Sequence, residues 1–164
     1  MKKQRTLLTL NQVLEKYVDG PSTGIFTDGS CSGNPGPGGW GVVVVDNNQI
    51  IDQKFGNDEH TTNNKMELTA LLEAMKYAQK IKVSNIYTDS QLLVKTFTLW
   101  AMQWEKMNWR RKSGPIKNLE LIKEIYFLFN QQNEYTLNWI PAHSGFKWNE
   151  YADALSTAYL REIL

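Results

Sequence analysis

Ile25-Phe26-Thr27-Asp28-Gly29-Ser30 reads as a β-strand running into a turn: β-branched and aromatic residues, then an aspartate, then two residues that favour leaving a sheet. Val83 to Asp89 repeats the pattern far downstream, and its end, Thr88-Asp89-Ser90, echoes Thr27-Asp28-Gly29. Strands that finish this way set Asp28 and Asp89 at strand ends, where α/β sheets build their sites. Between them, the Gly-rich Ser32 to Gly39 reads as a loop. Gly41 to Val45 and Gln49 to Phe55 read as two strands joined across Asp46-Asn47-Asn48 as a hairpin. From about Asn64 to Lys80 the period becomes helical, with Leu68, Leu71, Leu72, Met75 and Ala78 on one face.

Beyond Ser90 the chain carries no strand signal until Glu134, and it predicts two or three helices broken around Ser113-Gly114-Pro115. Glu134 to Ile140 is a final strand and Pro141 to Gly145 a loop. Trp148 to Leu160 is a last helix with Ala152, Leu155 and Tyr159 on one side. Helical crossovers before the later strands permit parallel pairing, so the order predicts an α/β domain with a mixed sheet.

Upstream, Leu7, Leu10, Leu14 and Tyr17 have helical spacing and predict a short amphipathic helix ahead of Asp19-Gly20-Pro21. Residues 1–21 are therefore set apart as an N-terminal extension, and 22–164 as the main domain. The basic start Met1-Lys2-Lys3-Gln4-Arg5 precedes an apolar stretch interrupted by Thr9, Asn11 and Gln12, which argues against an export signal. No apolar run is long enough to span a bilayer, which predicts a soluble protein. The length of 164 residues and 41% hydrophobic content suit one domain with a continuous core. A charged fraction of 21% excludes neither sign of partner, because the net charge is only +1. The lone Cys31 forms no internal disulfide, and a reducing cytoplasm is the simpler expectation.

Asp28, Glu67, Asp89 and Asp153 stand out among the acids by context. Each has a structural alternative when taken singly. An Asp before Gly or Ser is often a turn or N-cap residue. Asn64 and Glu67 have the spacing of a capping box. Asp153, near the start of its helix, would be favoured by the helix dipole alone. Together, converging carboxylates would repel and raise one another's pKa unless divalent cations neutralised them. Oxygen-only ligands select Mg²⁺ or Mn²⁺ over zinc, and two such ions would suit phosphodiester hydrolysis.

The motif set Thr27-Asp28-Gly29-Ser30-Cys31-Ser32-Gly33-Asn34-Pro35-Gly36-Pro37-Gly38-Gly39-Trp40-Gly41, Thr61-Thr62-Asn63-Asn64-Lys65-Met66-Glu67-Leu68, Thr88-Asp89-Ser90-Gln91 and Trp139-Ile140-Pro141-Ala142-His143-Ser144-Gly145, followed by Asn149 and Asp153, closely resembles type 1 ribonuclease H. The match runs from about residue 22 to residue 160 with every motif in family order. The resemblance implies a five-stranded mixed sheet flanked by helices. It also implies an endonuclease that hydrolyses the RNA strand of RNA–DNA hybrids with two Mg²⁺ ions, leaving 5′-phosphate and 3′-hydroxyl ends. Asp28, Glu67, Asp89 and Asp153 match the metal-binding carboxylates, and His143 the mobile-loop histidine thought to assist proton transfer or product release. By the same resemblance Cys31 and Asn34 face the RNA strand, and Asn34, Asn63 and Gln91 contact the minor groove or 2′-hydroxyls. Thr62 and Asn118 match phosphate contacts to the DNA strand, and Asn149 belongs with the substrate-binding set. The family's usual state implies a monomer.

The loop Gly33 to Gly39 lacks the Gly-Lys-Ser/Thr ending of a nucleotide cradle and leads into no helix, so it reads as a hairpin connection. Trp100 to Lys117 holds Lys106, Arg110, Arg111, Lys112 and Lys117 against Glu105, together with Trp100, Trp104 and Trp109. That composition suits a nucleic-acid strand, and equally a solvated cationic helix with its tryptophans in the core. It resembles the family's basic protrusion, with Trp100 and Trp104 at the DNA channel, although Ser113-Gly114 stands where many bacterial members have a longer basic stretch. Two other readings are a catalytically silent nucleic-acid-binding domain of this fold and a related-fold DNA integrase, transposase or junction-resolving nuclease. All four carboxylates remain, against the first, and the Asn34, Asn63 and Gln91 motifs oppose the second.

Overall fold

The computed structural model describes residues 7–81, 83–131, 135–161 and 163–164. A five-stranded sheet runs through its centre: β1 (Gly24–Cys31), β2 (Gly36–Asp46), β3 (Gln49–Thr61), β4 (Asn85–Thr88) and β5 (Thr136–Trp139), in the order β3-β2-β1-β4-β5. The pairs β1–β2 and β2–β3 are antiparallel, and β1–β4 and β4–β5 parallel. This is the mixed sheet expected from the order of elements.

Alternation along the strands sends side chains to two cores. Ile25, Val42, Val44 and Ile86 meet α2 (Asn63–Lys80), α3 (Gln91–Lys95) and α5 (Leu119–Gln131) on one face. Phe26, Val43 and Val45 meet α1 (Leu10–Lys16) and α6 (Lys147–Ser156) on the other. Burial on both faces explains why Val42 to Val45 reads as one apolar run with no polar alternation. The β2–β3 hairpin turns on Asn47 and Asn48, both at positive φ as a type I′ turn needs, and Asn48 Oδ1 accepts from Trp148 Nε1 at 2.9 Å.

Several boundaries differ from the sequence reading. Gly36 to Gly39 belongs to β2, where Gly38 and Gly39 pair with β1 and Gly36 with Thr61 of β3, because glycine backbone serves a ladder as well as a loop, so the connection shrinks to Ser32–Pro35. Strand β3 continues past Phe55 to Thr61 as the sheet's edge strand, where polar side chains face solvent and hide the pattern. The expected last helix ends at Ser156, followed by a 3₁₀ turn at Ala158–Leu160. Between α3 and α4 (Ala101–Lys106) the chain forms a π-helical turn, Thr96–Trp100. Thr96 and Thr98 donate to the carbonyls four residues back, a habit that bends helices. The basic residues at the start of the chain and Glu134, taken as the opening of the last strand, lie outside the described residues. Among those described, no helix is long and apolar enough to cross a membrane.

Candidate active site

Asp28 is carried by β1, next to the sheet's parallel half, and its Oδ1 accepts the Gly29 N–H at 2.9 Å. Helix α2 begins against that point. A Cβ on Gly29 would sit 2.3 Å from the backbone nitrogen of Glu67, so only glycine lets the helix approach closely enough to set Glu67 beside Asp28. The cap of α2 is Thr62, whose Oγ1 accepts from Lys65 N at 3.2 Å. The capping-box alternative for Asn64 and Glu67 is thereby corrected: the cap lies two residues earlier, at Thr62, and the Glu67 side chain turns into the protein. Asp89 follows β4, and its carbonyl accepts from Trp139 Nε1 at 3.2 Å.

Carboxylate oxygens of Asp28, Glu67 and Asp89 lie within 4.8 Å of one another. Asp28 is 4% exposed and Glu67 5%, and Glu67 Oε2 is buried with no hydrogen-bond partner. Burial, then the charges of Asp28 and Asp89, push the Glu67 carboxyl well above its usual range. Burial also raises Asp89, against the lowering effects of His143 and of a hydrogen bond from the Asn149 side chain.

Asp153 does not complete this trio. It forms a second group with Glu150, also on α6, and with His143 on the preceding loop, their ligand atoms likewise within 4.8 Å of one another. The two groups adjoin through Asp89, which His143 and Asn149 both face. Glu150 is 8% exposed, yet it was missed in the sequence. Its place three residues before Asp153, on the same helical face, was the available signal. Its Oε1 accepts the Gly145 N–H at 3.4 Å, and His143 itself is exposed at φ 53.

The other singled-out residues lie around these groups in smaller sets. Asn34 Oδ1 accepts the Asn63 N–H at 3.1 Å, which joins the β1–β2 connection to the start of α2. Cys31 Sγ donates toward the carbonyls of Gly36 and Thr61. Gln91 opens α3, exposed, and Asn118 takes a positive φ just before α5. Trp100 and Trp104 stand with ring centroids 6.2 Å apart. In the basic segment two of the three tryptophans pack on the core. Trp109 packs edge-on against Tyr126 in the core and Trp104 leans on it, whereas Lys106, Arg110, Lys112 and Lys117 are exposed. Arg111 folds back over the Trp104 ring and donates to the carbonyls of Gly114 and Pro115.

A sheet of this order with acids gathered beside β1 and β4 has known counterparts. The RNase H family pattern matches residues 20–161, and the chain belongs to that family. Ribonuclease H of Ehrlichia canis (strain Jake) is 44% identical over 138 residues, 83% of this chain and 92% of that protein. Ribonuclease H of Methylococcus capsulatus is 38% identical over 145 residues, covering 88% of this chain and 92% of its own length. Among solved structures, LC9-RNase H1, a type 1 RNase H with the type 2 active-site motif, superposes with a TM-score of 0.67 at 32% identity, over 86% of this chain and 74% of that one. LC11-RNase H1, solved in complex with RNA/DNA hybrid, gives 0.61 at 25% identity, over 81% and 92%.

Proposed function

We propose that this ribonuclease H hydrolyses the RNA strand of RNA–DNA hybrids with two Mg²⁺ ions, Mn²⁺ serving as a substitute, and leaves 5′-phosphate and 3′-hydroxyl ends. The observation that carries this reading is the trio Asp28, Glu67 and Asp89, two of its members buried and Asp89 half-buried, with the His143–Glu150–Asp153 group beside it. The donor set fits hard divalent ions: the trio offers only oxygens, and buried Glu67 Oε2 lacks a partner that a cation would provide. When bound, such ions neutralise the clustered acids and supply Lewis-acid stabilisation to the charge that builds on the phosphate.

The chain's own residues do the rest. Asp28, Glu67, Asp89 and Asp153 hold the ions, and Asn149 steadies Asp89. Water attacks the phosphorus in line and the bond to the 3′-oxygen breaks, with His143 at the exposed mouth placed to carry a proton or assist release. Asn34, Asn63 and Gln91 contact 2′-hydroxyls and the minor groove, and Cys31 lies on the RNA side. Thr62 and Asn118 hold phosphates of the DNA strand, while Trp100 and Trp104 line its channel. Sequence preference is weak, since backbone shape is read ahead of base edges. The working form in this reading is a cytoplasmic monomer.

The test is gel-resolved cleavage of a strand-labelled hybrid in Mg²⁺, with duplex DNA and duplex RNA alongside, for wild type and Asp28→Asn. Wild type should cut only the RNA strand of the hybrid, and Asp28→Asn should lose about 10³-fold or more in rate while keeping its fold. A wild type that cuts no hybrid overturns the reading.

A further inference from the structure

Tyr17 and Asp19 precede the stretch that the family pattern covers, yet they touch the loop carrying His143. Asp19 bridges to Phe146, and its carbonyl accepts the Lys147 N–H at 2.9 Å. Gly20, at φ 96, passes Phe146 so closely that a Cβ there would meet the Phe146 Cβ at 3.0 Å. The Tyr17 ring lies against Gly145, 3.8 Å from where that residue would carry a Cβ. Further back, the segment is anchored by Val13, which is 2% exposed among Trp148, Tyr151 and Leu155, and by the Arg161 guanidinium donating to the Leu8 carbonyl. Lys16 and Tyr17 thus form one wall of a cleft of about 560 Å³ whose other wall holds His143, Glu150 and Asp153.

The loop needs such support. His143 sits in the left-handed region at φ 53, which a residue with a side chain keeps only where its surroundings hold it. Ser144 Oγ donating to the Pro141 carbonyl and Gly145 N–H to Glu150 brace the loop internally. Residues 17–20 add a brace from outside it.

Resting on the activity proposed above, we infer that Tyr17 is a positioning residue: with the Asp19–Gly20 backbone it clips the His143 loop to the start of α6 and so fixes how His143 is presented to Glu150 and Asp153. Asn34, Asn63, Gln91, Trp100 and Trp104, assigned to hold the hybrid, lie outside the His143 loop and α6, and Asn149 on α6 is directed to Asp89. Loosening the clip therefore slows the step that needs His143 and leaves hybrid affinity alone.

The experiment uses the full chain as wild type, Tyr17→Ala, Tyr17→Phe and Ile125→Val, the last a core change in α5 that controls for lost stability. Cleavage of a strand-labelled hybrid gives kcat and KM, and amide exchange is read at Lys147. Tyr17→Ala should lower kcat about fivefold with KM within about twofold, and should speed Lys147 exchange about tenfold. Tyr17→Phe should restore both, and Ile125→Val should lower Tm without the kcat loss. If Tyr17→Ala does not fold, Tyr17→Leu is read the same way. A kcat at the wild-type level, or a loss that Ile125→Val matches, overturns the clip. If wild type cuts no hybrid, the proposed activity falls and Lys147 exchange decides: unchanged protection in Tyr17→Ala overturns the clip independently.

Discussion

Glu67 is a carboxyl whose hold on its proton the fold strengthens when no cation is bound. Its pKa lies well above the ordinary 4.5, for which burial is the first cause and the charges of Asp28 and Asp89 the next. Over the pH range above 4.5 and below its folded value, the native state holds a proton that the unfolded chain has released. Stability of the metal-free protein must therefore fall as pH rises through that window. Removing the charge with Glu67→Gln should raise the metal-free Tm at neutral pH, with the gain fading below the unfolded value, as thermal melts in a chelator would show. Adding Mg²⁺ should raise the Tm of wild type more than that of the variant, because binding to the native state alone stabilises it. Asp89, just past the end of β4, was legible in the sequence, since Thr-Asp after a β-prone run is a local signal; Asp28 gives the same signal but lies inside β1, whose pairing with β2 runs on through Gly29 and Ser30 to Cys31 because a glycine and a serine serve a ladder as well as a turn. Glu67 was ambiguous because a cap and a ligand share one spacing, and burial, which separates them, is a tertiary fact. Glu150 was passed over for the same reason: next to Asp153 on a helix, an acid reads as a solvated charge until the fold buries it.

At the scale of elements, the trio depends on how closely α2 meets β1. Gly29→Ala should cost about 1–3 kcal/mol, since its Cβ would press on backbone at Glu67 and no flexible side chain can give way. It should also cut activity beyond the stability loss, because the helix start that carries Glu67 must shift; denaturant melts and hybrid cleavage measured together would separate the two effects. Helix α2 was clear from its apolar face, and β2 from its valines. The π-helical turn at Thr96–Trp100 was not, because the sequence there keeps an otherwise ordinary helical pattern, with Thr96 and Thr98 donating to carbonyls four residues back. That turn precedes α4 and the pair Trp100 and Trp104. Trp100, half-buried and outside the core cluster, is the cleaner probe of the two. Trp100→Ala should weaken binding of labelled hybrid in a chelator by about 1–3 kcal/mol and leave kcat at saturation near wild type.

For the molecule as a whole, a net charge of +1 conceals an uneven distribution: acids sink into the two groups beside β1, β4 and α6, while exposed cations gather between Lys106 and Lys117. The overall architecture was legible because each half of the sheet announces its pairing, hairpins first and helical crossovers afterwards. The packing of residues 17–20 against the His143 loop was not, since it joins segments far apart in sequence and rests on backbone contacts that composition does not encode. The same sheet leaves β3 unpaired on its outer side, thirteen residues long, with Ile50, Ile51 and Phe55 exposed. An open strand of that length is a template on which a second chain can add. Asp52, Lys54, Asp58 and Glu59 stud it with charge, and register shifts between Gly36 and Gly38 and between Val44 and Val45 break its regular pairing with β2. Asp52→Val would extend Ile50-Ile51 into a longer apolar run, and light scattering during refolding should rise above wild type at equal concentration. The charges on β3 are thus expected to hinder chain-to-chain pairing while the protein folds, a task separate from any chemistry at the other end of the sheet.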